Sequence, residues 1–519
     1  MLFNSIEFLI FLPVTLLLYI LLKRHAQHEI ALSFLVVASL FFYGWWNPSY
    51  LILLVVSIGL NYQIGRLLSN ISRAHKKLLL GVGVGLNLAS IAYFKYSVFL
   101  LVNVNTVFNT HFSVGDVVLP LAISFFTFQQ IAYLVDSYKG ITREYNFSHY
   151  MLFVSFFPQL IAGPIVHHKD MLPQFAEAQD QKKLIRDIGF GLSIFSIGLF
   201  KKTVLADGIA VYASPVFQQA GSVDVDFLTA WGGALAYTFQ LYFDFSGYSD
   251  MAIGIARMFG IVLPLNFYSP YKATNISEFW RRWHITLSTF LRDYLYIALG
   301  GNRKGAFNRY RNLFITMLLG GLWHGAGWNF IIWGGLHGIY LCIHQVWAKF
   351  APHKPHHEET GIGKFIAWSI TFFSVVFAWV FFRATDFSSA MNIINGMLGL
   401  HGISLPNAIL SRLESIFDIS SYINISSNQQ GGSTFAYTWL WIVSLTFLSL
   451  VLPNIKQVFA RIEPALSEDK FSGKNSIFSH CSSYLTWKPN MVWAAITSLL
   501  FTVGLLTLGQ VSEFLYFQF

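Results

Sequence analysis

Residues 318–330 read Leu-Leu-Gly-Gly-Leu-Trp-His-Gly-Ala-Gly-Trp-Asn-Phe. They lie inside an apolar segment, 313–347, that is long enough to cross a lipid bilayer. The one histidine of the stretch, His324, is ionisable, which is costly at membrane depth and therefore indicates a functional site. Because imidazole exchanges protons near neutral pH, we predict that His324 is a buried base. The alternative is a packed histidine that hydrogen-bonds a neighbouring helix.

Glycines are concentrated around this histidine. They are expected to free the backbone, to break the long helix, and to leave room for a bulky group to approach. Five of them are involved: Gly320, Gly321, Gly325, Gly327 and Gly334.

The composition is that of a membrane protein. The chain is 55% hydrophobic and 11% charged, whereas soluble domains carry roughly 25% charged residues. Apolar runs of spanning length recur along it, so we predict an all-α polytopic membrane protein with about eleven spans and shorter re-entrant or interfacial helices. The first run is interpreted as a retained span rather than a signal peptide. The candidates are 6–22, 29–46, 49–65, 78–102, 117–135, 150–166, 188–206, 228–245, 313–347, 365–383, 436–452 and 491–510.

Loop charges predict the orientation. Lys and Arg cluster after the spans at 6–22, 49–65 and 117–135 and before those at 365–383 and 491–510, so these loops are expected in the cytoplasm. The loops 104–116 and 384–434 contain almost none and are expected outside. Both termini are then periplasmic, and residues 1–519 form one domain with an external aromatic tail, 511–519. This distribution also explains the net charge of +9 without nucleic-acid binding.

A polar, aromatic segment follows the middle spans. Within 278–296, Trp280, Trp283 and Leu287 have the spacing of one helical stripe. Arg281, His284 and Ser288 would form a neighbouring polar stripe, with Glu278 paired to one of the two arginines. Two interpretations stay open: an amphipathic interfacial helix, or a cytoplasmic vestibule in which Arg281 and Arg282 hold the phosphates of a cofactor.

Further polar residues belong to the candidate site or to the packing around it. Asp244 and Asp250 flank an aromatic turn, and their expected partners are the arginines of 281–282 or Arg257. His337 and His344 share a helix face that a continuous helix would turn away from His324, and they are interpreted as structural or interfacial. No zinc spacing, phosphate-binding loop, dinucleotide motif or Gly-x-Ser-x-Gly elbow is found, so no metal site is predicted.

Several motifs together resemble a known family. The chain contains Tyr-Phe-Lys-Tyr (93–96), Leu-Ile-Ala-Gly-Pro-Ile (160–165), Gln-Leu-Tyr-Phe-Asp-Phe-Ser-Gly-Tyr-Ser-Asp (240–250), Glu-Phe-Trp-Arg-Arg-Trp-His (278–284), Leu-Gly-Gly-Leu-Trp-His-Gly-Ala (319–326) and Phe-Phe-Arg-Ala (381–384). Over essentially its whole length it resembles the membrane-bound O-acyltransferases of the bacterial polysaccharide type, the group of the alginate O-acetyltransferase membrane subunit. The two histidine motifs are the most specific part of this resemblance.

The resemblance implies a fold and a reaction. The fold would be a ring of helices around a central funnel, with His324 as the catalytic histidine and His284 as the second motif histidine. Acetyl-CoA would be the cytoplasmic acyl donor, with no permanently bound cofactor. A periplasmic serine-esterase-like partner would complete the transfer to an exported polysaccharide: alginate, cellulose or peptidoglycan. The other expected site residues are Trp280, Trp323 and Asn329 beside the donor, and Asp244, Ser246, Tyr248 and Asp250 lining the site.

The tail motif Phe-Leu-Tyr-Phe-Gln-Phe (514–519) suggests a covalent step. In a related D-alanine-transferring system a small helper protein ends in a similar aromatic motif whose tyrosine accepts the acyl group. Tyr516 is therefore predicted to carry the acetyl group across, and the alternative is an aromatic belt residue at the interface. Two other functions stay open: a transporter or flippase, which would more often show two related halves, and an acyltransferase acting on a lipid or protein.

Overall fold

The computed structural model describes residues 1–70, 72–115, 117–142, 146–176, 181–350, 361–414, 425–427, 431–460, 462, 465, 485–509 and 515. Regular structure in these residues is almost entirely helical, which confirms the predicted all-α architecture. The first half contains α1 (Ile6–His25), α2 (His28–Gly44), α3 (Pro48–Asn70), α4 (Arg73–Ile91), α5 (Ser97–Phe108), α6 (Ile123–Lys139), α7 (Phe147–Ser155), α8 (Phe157–Leu160), α9 (His168–Ala176), α10 (Gln181–Phe200), α11 (Asp207–Gln219) and α12 (Phe227–Met258).

The second half adds shorter elements around the motif histidines. Its helices are α13 (Ile276–Arg282), α14 (Ile285–Phe290), α15 (Gly305–His324), α16 (Trp328–Phe350), α17 (Gly361–Arg383), α18 (Phe387–Met397), α19 (Asn407–Glu414), α20 (Gly432–Val451), α21 (Ile455–Val458) and α22 (Met491–Leu506). Two three-residue strands, β1 (Ile403–Leu405) and β2 (Ile425–Ser427), pair in parallel within the loop predicted to be external, with Ile403 opposite Ile425.

Six helices of the described residues are long and apolar enough to cross a membrane, against the eleven or so predicted. They are Ile6–His25, Pro48–Asn70, His75–Phe108, Lys183–Gln219, Gly361–Arg383 and Gly432–Val451. The predicted span 150–166 is wrong. The α7 helix ends before Phe156, whose ψ is 110°. The next helix, α8, has only four residues and contains Pro158 in its first turn. This segment is buried by protein instead of crossing lipid.

Helix α12 runs through the interior and is buried along most of its length. Glycines bring it unusually close to α10. A Cβ at Gly198 would lie 2.6 Å from the Gly247 carbonyl oxygen, and a Cβ at Gly254 would lie 2.6 Å from that of Gly191. Small residues at such spacing let two membrane helices pack backbone to backbone.

Contacts with distant segments hold the two ends of α2. Near its last residue Tyr43 donates to the Leu121 carbonyl at 2.9 Å, and at its first residue the His28 ring lies 2.6 Å from the Phe175 carbonyl. Elsewhere Asn392 donates to the Ala220 carbonyl at 2.7 Å, and Tyr19 donates to that of Phe259 at 3.4 Å. Which end faces the periplasm stays a prediction.

Three π-helical turns interrupt the helices of the described residues, at Ala92–Tyr96, Lys201–Ala206 and Leu291–Tyr296. Such turns are rare and frequently occur at functional sites. In each turn, a polar side chain contacts a neighbouring helix. Lys95 contacts the end of α15, Lys202 contacts Asp244 of α12, and Tyr294 donates to Asp136 of α6 at 2.9 Å.

Candidate active site

His324 is the last residue of α15 and is 4% exposed. The chain then becomes extended at Gly325, with φ −161° and ψ 152°, and α16 begins at Trp328. The predicted break at the glycines is therefore present. Aromatic rings surround the imidazole: the centroids of Trp323, Trp333 and Phe382 lie 4.9, 5.0 and 5.1 Å from it.

Three of the five glycines near His324 do not leave the room for a bulky group that the sequence suggested. A Cβ at Gly321 would lie 3.0 Å from the Gly334 Cα, and one at Gly334 would collide with the Met317 carbonyl. A Cβ at Gly325 would collide with the Phe330 ring. These glycines instead let α15 and α16 touch, because side chains at the crossing would force the two helices apart. They fix the position of the break.

The carbonyls at the end of α15 are bound by a distant helix. Tyr96 donates to the Leu322 carbonyl at 2.7 Å, and Lys95 Nζ donates to those of Trp323 and His324 at 2.5 and 3.2 Å. The Lys95 ammonium also lies 5.9 Å from the centroid of the Trp323 ring. The π-helical turn Ala92–Tyr96 therefore holds the backbone on which His324 is carried. Their place in the Tyr-Phe-Lys-Tyr motif had indicated no role for these two residues.

His284 is fully buried in a break between two short helices. α13 ends at Arg282, Trp283 is extended, and His284 has φ 42°, in the left-handed region. The predicted continuous helix over 278–296, with its separate tryptophan and polar stripes, is therefore wrong. The kink moves His284 from a polar surface into the interior.

Asn266 orients His284, a role that no sequence motif indicated. Its side-chain oxygen lies 3.0 Å from His284 Nδ1 and also accepts from the Thr286 hydroxyl at 3.0 Å. Its amide nitrogen donates to the Ser249 hydroxyl at 3.2 Å. Because Asn266 presents an acceptor, His284 Nδ1 carries a proton and Nε2 is the basic nitrogen of the neutral ring.

Trp323 lies near both motif histidines. Its ring centroid is 4.9 Å from that of His324 and 6.3 Å from that of His284. It stacks on Phe128 at 5.3 Å and meets Phe125 edge-on at 5.5 Å. The sequence placed Trp323 beside the donor, and the structure places it at the centre of the histidine cluster.

His337 belongs to the same cluster, and its burial excludes the interfacial alternative and leaves the structural one. It is fully buried, and its ring is 4.8 Å from that of Trp333, which in turn contacts His324 at 5.0 Å. Trp280 Nε1 donates to His337 Nδ1 at 3.2 Å. The helical-wheel argument failed because the helix is not continuous between 324 and 328. Trp280, predicted to lie beside the donor, thus orients a histidine.

The two arginines of the second motif differ in surroundings. Arg282 pairs with Glu278 at 2.6 Å, as the spacing predicted, and donates to the Tyr268 carbonyl at 3.2 Å. Arg281 is exposed. Asn329, also predicted beside the donor, is buried and donates to the Ala384 carbonyl at 2.9 Å, joining α16 to the end of α17.

The buried aspartates pair with lysines and not with the expected arginines. Asp244 contacts Lys202 Nζ at 2.7 Å, and Asp250 contacts Lys201 Nζ at 2.6 Å. The same Lys202 also contacts Asp207 at 2.7 Å. The arginines are engaged elsewhere, since Arg282 pairs with Glu278 and Arg257 lies 3.2 Å from Asp187.

Two further predicted site residues lie on α12 between these aspartates. Ser246 and Tyr248 are both buried, and the Tyr248 ring stacks on that of Phe3 at 4.5 Å. Their role in lining the site stays a prediction.

One residue of the aromatic tail is described. Leu515 is 1% exposed, and its backbone N–H donates to Asp244 Oδ2 at 3.2 Å. Tyr516 lies outside the described residues. Within the part of the chain that the structure describes, no group of three His, Cys, Asp or Glu side chains is arranged to hold a metal ion.

Comparisons with known proteins identify the family. A model of the membrane-bound O-acyltransferase family matches residues 137–385. The chain is 45% identical over 551 aligned residues to a protein named peptidoglycan O-acetyltransferase from Helicobacter pylori, covering 100% of this chain and 98% of the relative. The chain belongs to the membrane-bound O-acyltransferase family. As a member of that family it is a multi-pass membrane enzyme that transfers acyl groups, which confirms the resemblance inferred from the motifs.

Other family members broaden the range of acceptors. A probable alginate O-acetylase AlgI from Pseudomonas putida is 38% identical over 533 residues, covering 100% of both chains. A teichoic acid D-alanyltransferase from Streptococcus thermophilus is 31% identical over 238 residues, 44% of this chain and 57% of the relative. The matched family region contains both motif histidines, whereas Lys95 and the tail lie outside it.

Proposed function

We propose that this enzyme takes an acetyl group from cytoplasmic acetyl-CoA and transfers it, through His324, toward a hydroxyl of a polysaccharide outside the inner membrane. The observation that carries the proposal is the pair of buried motif histidines that both lie near the Trp323 ring, at the break between α15 and α16. The names of the full-length relatives, an acetyltransferase of peptidoglycan and one of alginate, support the acyl group and the acceptor class.

The chemistry needs one base in a water-poor site. The neutral imidazole of His324 removes the proton of the attacking hydroxyl while its oxygen bonds to the thioester carbonyl carbon. As the carbon–sulfur bond breaks, the imidazolium returns that proton to the leaving thiolate. The aromatic rings around His324 exclude water, which would otherwise hydrolyse the thioester. His284, fixed by Asn266, supports the arrangement through Trp323.

His324→Ala tests this mechanism directly. We expect a folded protein whose acetyl transfer falls by about 10²–10⁴-fold, the usual contribution of a general base. The purified variant is assayed with acetyl-CoA, next to His75→Ala, which removes an exposed histidine of α4. Transfer by His324→Ala at the rate of the control would contradict the assignment.

The donor phosphates are expected near Arg281, because Arg282 is held by Glu278. Arg281→Ala should raise the KM for acetyl-CoA more than it lowers kcat, the sign of lost binding shared by ground and transition states. Arg282→Ala should mainly reduce stability. An unchanged KM in Arg281→Ala excludes the phosphate contact.

The acceptor polymer is identified by comparing cells with and without the gene. Mass spectrometry of muropeptides and of exported glycans should show loss of O-acetyl groups from one of the two fractions. Loss from muropeptides identifies peptidoglycan, and loss from the exported fraction identifies an alginate-like or cellulose-like polymer. Unchanged acetylation in both fractions would contradict a polysaccharide acceptor. A periplasmic serine-esterase-like partner would complete the transfer.

Tyr516 is proposed to carry the acetyl group between His324 and that partner. Its neighbour Leu515 is buried against Asp244 of α12, which favours a tail that enters the protein over one that lies in the aromatic belt. The phenol oxygen would take the acetyl group from the thioester and lose its proton to His324, and the resulting ester would then be transferred onward.

Tyr516→Phe separates the relay from a packing role, because it removes only the nucleophile. We expect polymer acetylation to be abolished while the protein stays folded. Tyr437→Phe, which alters an exposed tyrosine of α20, is the control. Full polymer acetylation in Tyr516→Phe would exclude the relay.

A further inference from the structure

We propose that Lys95, assisted by Tyr96, is the positioning residue that holds His324 in its reactive place. This inference rests on the proposed role of His324. Neither the family match, which begins at residue 137, nor any other comparison assigns these two residues.

The end of a helix leaves its last carbonyls without partners. At the end of α15 the carbonyls of Leu322, Trp323 and His324 all accept hydrogen bonds from the Ala92–Tyr96 turn. A positive charge at a helix C-terminus is also favourable because it faces the negative end of the helix dipole. Lys95 thus replaces the backbone partners that the break at Gly325 removes.

The turn that carries the two donors departs from regular α-helix geometry. Consecutive residues of a regular α-helix point about 100° apart. In the π-helical turn Ala92–Tyr96, however, the adjacent Lys95 and Tyr96 both contact the last residues of α15. The turn therefore presents two donors to one target.

The charge of Lys95 lies within a helical stretch where a lysine is costly. The turn interrupts the helical stretch His75–Phe108, which is long and apolar enough to span a membrane. A lysine that only anchors a span lies near its ends and extends to the interface. Among the described residues no carboxylate lies within ion-pair distance of Lys95, and its ammonium contacts carbonyls and the Trp323 ring. Its position is explained by the end of α15.

The contacts of Lys95 and Tyr96 with the end of α15 affect both histidines. Trp323, whose carbonyl and ring both contact Lys95, lies near both His284 and His324. Loosening the end of α15 would therefore displace the base and the ring that packs beside both histidines. Lys95 itself is not expected to contact the thioester.

The experiment compares purified variants with acetyl-CoA as the donor. Lys95→Met keeps the length of the side chain and removes its charge and hydrogen bonds. We expect kcat to fall at least tenfold with the KM for acetyl-CoA within twofold of wild type, and Lys95→Arg to recover part of the loss. Tyr96→Phe, which removes one hydrogen bond, should lower kcat less. Lys77→Met, an exposed lysine of α4, should leave both constants unchanged.

The same change in a His324→Ala background shows whether Lys95 acts through the histidine. If it does, the double variant retains the residual rate of His324→Ala. A wild-type kcat in Lys95→Met, or a raised KM with unchanged kcat, would overturn the proposal, the latter by showing donor binding. If Lys95→Met does not fold, Tyr96→Phe decides in the same way. A fully active His324→Ala would instead refute the proposed function itself.

Discussion

Asn266 shows how much of the site depends on a single amide. Its side chain hydrogen-bonds to His284, Thr286 and Ser249, which are all buried. Removing a partner from a buried polar group typically costs about 1–3 kcal/mol.

We therefore predict that Asn266→Leu lowers the free energy of unfolding by about 1–3 kcal/mol and reduces kcat, since His284 loses its orienting partner. Thermal denaturation in detergent and acetyl-transfer kinetics measure the two effects. Asn308→Ala, which removes only a local bond to the Lys304 carbonyl, is the control. Unaltered kcat in a destabilised Asn266→Leu protein would show that the amide serves packing alone.

Residue chemistry was only partly predictable from the sequence. His324 and His284 were recognised from motifs, and both proved to be buried. Asn266 and Lys95 were missed because their importance comes from a left-handed turn at His284 and a π-helical turn at Ala92–Tyr96. Such departures from regular α-helical backbone bring together residues that helical periodicity would place on different faces.

At the scale of elements, the contact between α15 and α16 gives a clear prediction. A Cβ at Gly334 has no space, whereas one at Gly81 of α4 would meet nothing within 4 Å. Gly334→Ala should therefore destabilise the protein by about 1–3 kcal/mol through overpacking. Gly81→Ala should be neutral or stabilising by up to about 1 kcal/mol, because alanine favours a helix. Thermal denaturation compares the two, and equal stability would contradict the close contact.

The spans were predicted well where a helix is long, apolar and regular, as at α1, α3 and α17. Predictions failed where the chain is buried by protein, as at 150–166 and 278–296. There the apolar character reflects tertiary packing, so hydropathy and periodicity do not distinguish a span from a set of short broken helices.

At the scale of the whole molecule, the orientation can be tested by labelling. We predict that His111→Cys, in a variant with Cys342 and Cys481 replaced by serine, reacts with an impermeant maleimide in intact spheroplasts. Arg24→Cys should react only after permeabilisation. Both expectations follow from the loop charges. The reverse pattern would place the termini in the cytoplasm.

The paired charges of α12 have a consequence for biogenesis. A lysine or aspartate in the middle of a span costs about 3 kcal/mol during insertion by the translocon. Lys201, Lys202 and Asp207 are synthesised before the Asp244 and Asp250 that neutralise the lysines. The span Lys183–Gln219 should then remain loosely inserted until α12 emerges from the ribosome. We expect Lys183–Gln219 to crosslink to the translocon in nascent chains whose α12 is still inside the ribosome, and to lose that crosslink in chains long enough to expose α12 fully.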